Sequence, residues 1–340
     1  MKPFCDLSLN ISESEYRNNG RFHYSDIAGY MKDGFSYFKR DKKEESESLT
    51  FGSMVDCLVT QGIDEFDNKY CVEKEFSLSD NQKSAIKDLL EYGYENLSDN
   101  DPEVIYAVLE QYYKNPKSQV TKLFEEGSGY YKFLHDTKGK IAVDYQMYQD
   151  AIDVANKVLT SPSGRTFFNG NDKGVDKFYQ LKFNGVIDDI PVTCMVDALY
   201  VDHRVKTIWI VDLKTTCANY EWEFPKSFVK YNYAVQARLY STIVRQIMDS
   251  DDDYKDYKLE GFVFVYVSRQ NRTPLIWTFD KNLDNDDIVI EKQNGDKIIL
   301  EDFRKPLKEM YRIKEDQLNL PADISLMYGN DVIKHLKKLR

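Results

Sequence analysis

Hydrophobic residues recur every three or four positions through the first half of the chain. The clearest examples fall in two runs: Ile86, Leu89 and Leu90, then Val104, Ile105, Val108 and Leu109. Because an α-helix turns once in about 3.6 residues, this spacing places the apolar side chains on one face. The pattern predicts helices over about 26–38 and 50–60, further helices within 79–160, and a last one over about 141–159.

The pattern changes in the second half, where short apolar or alternating runs are typical of β-strands. The predicted strands cover 178–183, 190–201, 208–213, 261–267 and 275–279. The pair Asn184-Gly185 predicts the first turn, and a helix over about 231–248 separates the third strand from the fourth. The order β-β-β-α-β-β predicts an α+β fold whose mixed central sheet is flanked by N- and C-terminal helices.

The same change in pattern divides the chain of 340 residues into three predicted segments. Residues 1–168 form a mainly helical part that packs on the core. Residues 169–300 form the core sheet and its helix, and residues 301–340 form C-terminal helices.

Composition narrows the classes of function. Lys and Arg number 46 against 57 Asp and Glu, a net charge of −11, so bulk charge does not bind this chain to nucleic acid. Any such contact needs a local basic groove or a metal ion. No apolar run approaches the roughly 20 residues of a membrane span. The first ten residues do not resemble a secretory signal.

The five cysteines are widely spaced and form no C-x-x-C pair. This spacing indicates a reducing compartment, and we expect the protein in the cytoplasm. It also argues against a disulfide framework, a zinc ribbon and an iron–sulfur cluster.

Two aspartates in apolar strands are the candidates for chemistry. Asp212-Leu213-Lys214 follows the apolar run 208–211, and residues i and i+2 of a strand share a face. Asp197 interrupts the preceding apolar strand. If these strands are neighbours, the two carboxylates converge, and a hard cation such as Mg²⁺ or Mn²⁺ relieves their repulsion. The Leu213 carbonyl could add a ligand, and Lys214 would lie beside the metal-bound water.

An alternative remains open on these residues alone. Asp212 and Lys214 could form an ordinary surface ion pair, and Asp197 could cap a helix or turn. No Walker A loop, G-x-S-x-G or H-E-x-x-H motif offers a competing site.

Asp197, the run Asp212-Leu213-Lys214-Thr215-Thr216 and the helix motif Gln236-Ala-Arg-Leu-Tyr240 together resemble the PD-(D/E)XK nuclease superfamily, and within it the RecE/RecB-like phage exonucleases. The resemblance is firm over about 175–280. It implies a catalytic set of Asp197, Asp212, Lys214, Gln236 and Tyr240. It implies metal ligands Asp56, Asp197, Asp212 and Leu213, and supporting or DNA-contacting roles for Gln180, Thr215, Lys230 and Arg238.

Two positions depart from the pattern of that family. The family has a histidine in an early G-x-x-x-H helix, where this chain has Gly52-Ser-Met-Val-Asp56. Aspartate is also an oxygen ligand for Mg²⁺. The family often has a glutamate in the first strand, where this chain has the neutral Gln180. These changes leave room for altered or lost activity.

The resemblance implies a Mg²⁺-dependent DNA exonuclease that acts 5′→3′ on double-stranded ends in phage-type recombination, with Mn²⁺ able to substitute. An endonuclease of the same superfamily and a catalytically decayed DNA-end-binding module are the alternatives. The implied partners are double-stranded DNA ends, a single-strand annealing protein and further copies of the chain. No membrane is implied, and the expected location is the cytoplasm of a bacterial host.

Overall fold

The computed structural model describes residues 1–39, 46–170, 172–216, 220–280, 287–291 and 295–315. The chain divides into two compact units. The larger unit combines Met1–Gln61 with Ala151–Arg340, and the smaller unit is Gly62–Asp150. The predicted segments 1–168, 169–300 and 301–340 were divided by sequence pattern, whereas these two units are divided by contacts between residues. The three segments therefore stay a prediction.

The elements are numbered in chain order over the described residues. The α-helices are α1 Glu13–Arg17, α2 Tyr24–Asp33, α3 Glu47–Thr60, α4 Ile63–Lys69, α5 Asp80–Leu90, α6 Pro102–Tyr112, α7 Val120–Asp136, α8 Tyr145–Thr160, α9 Pro162–Phe168, α10 Phe224–Lys230, α11 Tyr233–Asp249 and α12 Arg304–Glu315. The strands are β1 Tyr70–Val72, β2 Ile141–Val143, β3 Val175–Ile187, β4 Ile190–Asp202, β5 Thr207–Thr216, β6 Lys258–Ser268, β7 Leu275–Asp280, β8 Ile288–Glu291 and β9 Lys297–Leu300. Short 3-10 turns lie at Phe4–Leu7, Gly34–Lys39, Leu97–Asp99, Pro116–Ser118 and Glu221–Glu223.

A five-stranded sheet in the order β3-β4-β5-β6-β7 is the centre of the larger unit. β3, β4 and β5 form an antiparallel meander, β6 runs parallel to β5, and β7 returns antiparallel to β6. The parallel pair needs a long connection, which α10 and α11 provide. The predicted α+β class with a mixed central sheet is therefore confirmed.

Burial explains why β6 and α11 form where they do. Every residue from Gly261 to Ser268 is buried, as the unbroken apolar run predicted. The apolar stripe of α11 includes Ala234, Leu239 and Ile243, and it packs into the same core as the aromatic residues of β6. This packing fixes α11 against the sheet and so positions its polar residues.

The predicted turn at Asn184-Gly185 is wrong. β3 continues to Ile187, and the chain reverses at Asp188 and Asp189, whose φ values of 50° and 64° suit a tight hairpin turn. Gly185 serves a different purpose, because a Cβ there would lie 2.8 Å from Ile243 Cγ1 and from Gln246 Oε1 of α11. The glycine lets α11 approach the sheet.

Gly185→Ala should therefore destabilise the protein by about 1–3 kcal/mol, the usual cost of overpacking a core. Gly129→Ala on α7 is the matched control, since a Cβ there meets its nearest neighbour at an ordinary 3.6 Å. That control should stabilise by about 1 kcal/mol through helix propensity. Urea unfolding measures both, and equal stability of wild type and Gly185→Ala would contradict the close approach.

The smaller unit has its own core, built from α5, α6 and α7. Ile86, Leu89, Leu109, Leu123 and Tyr131 are fully or almost fully buried in it. β1 and β2 pair in parallel within this unit. The helix predicted from residue 141 begins instead at Tyr145, because Ile141–Val143 is taken up by that pairing.

The described residues cover the C-terminal segment only in part. α12 lies in the predicted C-terminal helical segment, while residues 316–340, with Lys334, Lys337, Lys338 and Arg340, lie outside the described residues. Within the described ranges, no helix is long and apolar enough to cross a bilayer.

Candidate functional site

The two aspartates lie where β4 and β5 separate. Their backbone pairing ends at Ala198 and Val211, one step before Asp197 and Asp212, which are therefore opposite each other in register. Beyond that point the Asp197 carboxylate accepts the Leu213 N–H at 2.8 Å in place of a strand partner. Since the N–H and C=O of a strand residue point to the same side, the Leu213 carbonyl also faces β4.

Asp212 is held by two donors in a buried position. Its side chain is 2% exposed, and its Oδ2 lies 2.7 Å from the Lys214 ammonium. Its Oδ1 accepts a short hydrogen bond from Gln236 Nε2 on α11. The strand therefore presents Asp212 and Lys214 on the face that α11 covers, as the i and i+2 spacing predicted.

Lys214 is held as a cation. Its ammonium lies 5.2 Å from the centre of the Tyr233 ring, within reach of a cation–π contact. Burial alone would lower the pKa of Lys214, but the negative charge of Asp212, with Tyr233 and Asp197, raises it overall. Lys214 can therefore donate hydrogen bonds and stabilise negative charge, whereas a protonated amine cannot accept a proton from water.

Gln180 connects the sheet to α3. The register of β3 and β4 passes from Tyr179/Ala198 to Leu181/Val196, which places Gln180 opposite Asp197. Its φ of 54° lies in the left-handed region, which costs a non-glycine residue on the order of 1–2 kcal/mol. In this conformation Gln180 Nε2 donates to both Asp56 carboxylate oxygens, at 3.2 and 3.0 Å.

The helix α3 brings Asp56 to Gln180, which lies opposite Asp197 in the sheet. Ser46 begins the helix by accepting the Leu49 N–H. A Cβ on Gly52 would lie 3.0 Å from Thr215 Oγ1, so this glycine lets α3 approach the end of β5. Asp56 follows one turn later, and the structure brings it together with Gln180.

The three carboxylates repel one another. Burial, with the charge of Asp212, raises the pKa of Asp56 to about 7. Burial, with the charges of Asp212 and Asp56, raises the pKa of Asp197 well above its usual range. Burial raises the pKa of Asp212 as well, although Lys214 and Gln236 offset part of the effect. The folded protein therefore keeps protons on these carboxyl groups more readily than the unfolded chain does, and a bound cation would favour their ionised forms.

Asp56→Asn should stabilise the metal-free protein in a pH-dependent way. The folded pKa of about 7 exceeds the unfolded value of 3.8, so the folded state loses stability as pH rises between these values. At roughly 1.4 kcal/mol per pKa unit, the variant should gain a few kcal/mol over wild type at pH 8 and much less at pH 5. Urea unfolding in EDTA at both pH values measures this gain, and a gain that is the same at both would contradict the repulsion.

The donor chemistry fits a divalent cation. Carboxylate oxygens and a backbone carbonyl are the hard ligands that Mg²⁺ and Mn²⁺ prefer. Gln236 Oε1, beside Asp212, is buried and has no hydrogen-bond partner among the described residues. Within the same residues no three His, Cys, Asp or Glu side chains already form a metal-holding group. Each carboxylate is held by its own donor instead, so binding would require these side chains to turn toward a common ion.

The remaining predicted residues differ in their placement. Tyr240 lies one turn beyond Gln236 and is 8% exposed. Burial raises the pKa of the Tyr240 hydroxyl, and Asp212 and Asp197 are among the groups that raise it further. Lys230 is exposed, with its ammonium 5.0 Å from the Tyr231 ring. Arg238, predicted to have a supporting or DNA-contacting role, is 1% exposed and donates to the Glu301 carbonyl at 3.0 Å. Its burial favours the supporting role over direct contact with DNA.

Two aromatic residues near Lys214 were not predicted. Tyr233 lies beneath its ammonium, and Tyr24 is close enough for Lys214 to influence its pKa, which burial raises. Tyr24 also donates to the Tyr231 carbonyl at 2.5 Å. The sequence signal for Tyr233 was the dense aromatic run 220–233, whereas nothing local marked Tyr24.

Comparisons with known proteins give a distant likeness. No protein-family model matches the chain, and no curated protein matches it. Among solved structures, the chain is similar to the crystal structure of a candidate exonuclease from Eubacterium rectale. The two are 14% identical, with a TM-score of 0.46, over 92% of this chain and 89% of that chain. This level of likeness is too low to assign a family.

Proposed function

We propose that the chain is a divalent-metal-dependent nuclease that hydrolyses phosphodiester bonds of DNA. One observation carries the proposal. Asp197 and Asp212 lie opposite each other where β4 and β5 separate, and Lys214 lies 2.7 Å from Asp212 on the same strand. Partly or fully buried carboxylates that repel one another are expected at a functional site rather than in a structural core.

The residues have distinct roles in this proposal. Asp197, Asp212 and the Leu213 carbonyl would hold the cation, and Asp56 would add a fourth oxygen ligand. When bound, the cation supplies an acidified water and neutralises charge on the scissile phosphate. Gln236 fixes the orientation of Asp212 through its amide hydrogen bond. Gln180 holds Asp56 in the same way.

Lys214 would act on the substrate as a cation. Its raised pKa keeps it protonated, so its role is to donate to phosphate oxygens as negative charge develops on them. Tyr233 limits the directions in which the ammonium can move, because it covers one side of the amine. Because it stays protonated, Lys214 would not take the proton of the attacking water, which the bound cation would make acidic enough to release that proton to solvent.

The finer proposal is a RecE-like exonuclease that acts 5′→3′ on double-stranded ends, uses Mg²⁺ or Mn²⁺, and serves phage-type recombination. Further copies of the chain and a single-strand annealing protein are its proposed partners. An endonuclease is the enzyme alternative. A decayed DNA-end-binding module has support of its own, since Gln180 already donates to both Asp56 oxygens.

Digestion of linear duplex DNA labelled at either end tests these proposals. We expect Mg²⁺-dependent loss of label from the 5′ end and none in EDTA, with covalently closed circular DNA left intact. Asp212→Asn, which keeps the shape of the side chain, should abolish digestion. Nicking of the circle would favour the endonuclease. Equal digestion by wild type and Asp212→Asn, or no digestion by either, would overturn the proposed activity.

A further inference from the structure

Two aromatic side chains just beyond β5 are unusually exposed. Tyr220 is 53% exposed and Trp222 is 71% exposed. Their rings are parallel within 3°, and their centres lie 4.5 Å apart. The pair forms a flat stack that keeps about half or more of each side chain exposed. Large apolar surfaces of this kind on a folded protein commonly mark a binding surface.

The stack lies close to the candidate site. Phe224, two residues after Trp222, stacks on Tyr266 with ring centres 4.1 Å apart. Tyr266 is the partner of Lys214 in the β5–β6 register. Two residues of chain span at most about 7 Å between Cα atoms. The stack is therefore within a few nucleotide lengths of the Lys214 ammonium.

A third exposed aromatic residue, Tyr231, is linked to the lysine through one further ring. Tyr231 is 47% exposed and stacks on Tyr233 at 5.7 Å. Tyr233 in turn contacts the Lys214 ammonium. The exposed aromatic rings thus form a discontinuous track that leads to the site.

Positive side chains accompany the rings. Lys226 and Lys230 are exposed on α10, and the Lys230 ammonium lies 5.0 Å from the Tyr231 ring. Of the two glutamates in this segment, Glu221 and Glu223, Glu223 is turned back to accept the Tyr220 N–H at 3.3 Å. Flat rings interleaved with lysines suit a polymer that carries planar groups along a phosphate backbone.

We propose that Tyr220, Trp222 and Tyr231 bind an unpaired nucleic-acid strand by stacking on its bases. An unpaired strand fits three such rings better than a duplex does, because the bases inside a duplex cover each other's faces. Lys226 and Lys230 would contact the phosphates between the stacked bases. The strand would then pass Tyr233 and reach Lys214. This inference names the form of substrate at the site of the proposed function, and in that respect it rests on that function.

Binding in EDTA tests the inference without any cleavage. When the full chain binds a fluorescein-labelled oligothymidylate, the anisotropy of the fluorescein should rise and the tryptophan fluorescence of the protein should be quenched. Trp222→Ala and Tyr231→Ala should each weaken binding by about 5- to 100-fold, the range expected for loss of one stacked base. Trp222→Phe should keep most of the affinity and lose most of the quenching. Tyr92→Ala is the control, since Tyr92 is 55% exposed in the smaller unit.

An oligonucleotide without bases separates stacking from charge. It should bind at least 5-fold more weakly than the oligothymidylate, and duplex DNA with blunt, closed ends should not quench Trp222. Equal binding of the abasic strand, or unchanged affinity in Trp222→Ala and Tyr231→Ala, would overturn the inference. A wild-type protein that binds the oligothymidylate by stacking but does not cleave DNA would overturn the proposed activity alone. Aromatic variants that lose binding but still cleave DNA would support the stacking inference and leave the proposed activity unchanged.

Discussion

Lys214→Met should lower the rate of Mg²⁺-dependent DNA cleavage by roughly 10²- to 10³-fold, the usual effect of removing a group that stabilises developing charge in the transition state. The physical reason is the position of the ammonium, which lies 2.7 Å from Asp212 and against the Tyr233 ring, while the Lys214 side chain is 20% exposed. Methionine keeps most of the apolar stem and removes the charge. Single-turnover cleavage of an end-labelled duplex measures the loss.

The neighbouring strand provides a matched control. Lys258 and Glu260 on β6 form the same i, i+2 ion pair at 2.9 Å, but the Lys258 side chain is 62% exposed. Lys258→Met should therefore leave the cleavage rate within about 2-fold, because an exposed ion pair contributes little. Lys214→Arg keeps the charge in a different shape and should give an intermediate rate. A Lys214→Met protein that stays folded and cleaves as fast as Lys258→Met would exclude Lys214 from the chemistry.

Arg238→Ala should lower the free energy of unfolding by about 3–5 kcal/mol, the usual cost of breaking a buried polar contact and leaving a cavity. Arg238 is among the largest fully buried side chains, and it holds the Glu301 carbonyl against α11. Its loss leaves that carbonyl without one of its donors. Urea unfolding of the variant measures the effect.

DNA affinity separates the two roles considered for Arg238. Affinity per folded molecule should be unchanged in Arg238→Ala, since a side chain at 1% exposure does not meet the DNA backbone. Lys230→Ala is the control with the opposite result, with stability within about 0.5 kcal/mol of wild type and weaker DNA binding. A stable Arg238→Ala protein with weakened DNA binding would instead favour the DNA-contacting role.

Strands with strong local signals could be predicted closely from sequence. The runs 190–201, 208–213 and 261–267 lie inside β4, β5 and β6, because continuous apolar residues are buried whatever their neighbours are. Asn184-Gly185 misled for the opposite reason. Gly185 is there because side chains of α11 lie too close for a Cβ, and no local sequence pattern reveals that contact. The strand Ile141–Val143 was missed because each of its residues pairs with a β1 residue 71 positions earlier in the chain.

The part of the candidate site on β5 could be predicted from sequence, because alternate residues of a strand share a face. The spacing of Asp212 and Lys214 placed both on one face, and the structure brings Gln236 to Asp212. The hydrogen bonds from Gln180 to Asp56 depend on a left-handed backbone within β3, so sequence gave no sign of them. The buried Arg238 donates to the Glu301 carbonyl, which lies 63 residues later in the chain. In each case the deciding contact is distant in sequence.

Calorimetric titration with Mn²⁺ most directly tests whether Asp197 and Asp212 bind a shared cation. Wild type should bind the ion, and Asp197→Asn and Asp212→Asn should each weaken binding at least tenfold, since both carboxylates act as ligands. Asp202→Asn, which breaks an ion pair with Arg204 at the far end of β4, should bind as wild type does. Wild type that binds no Mn²⁺, or variants at 197 and 212 that bind it equally well, would contradict a metal centre between these strands.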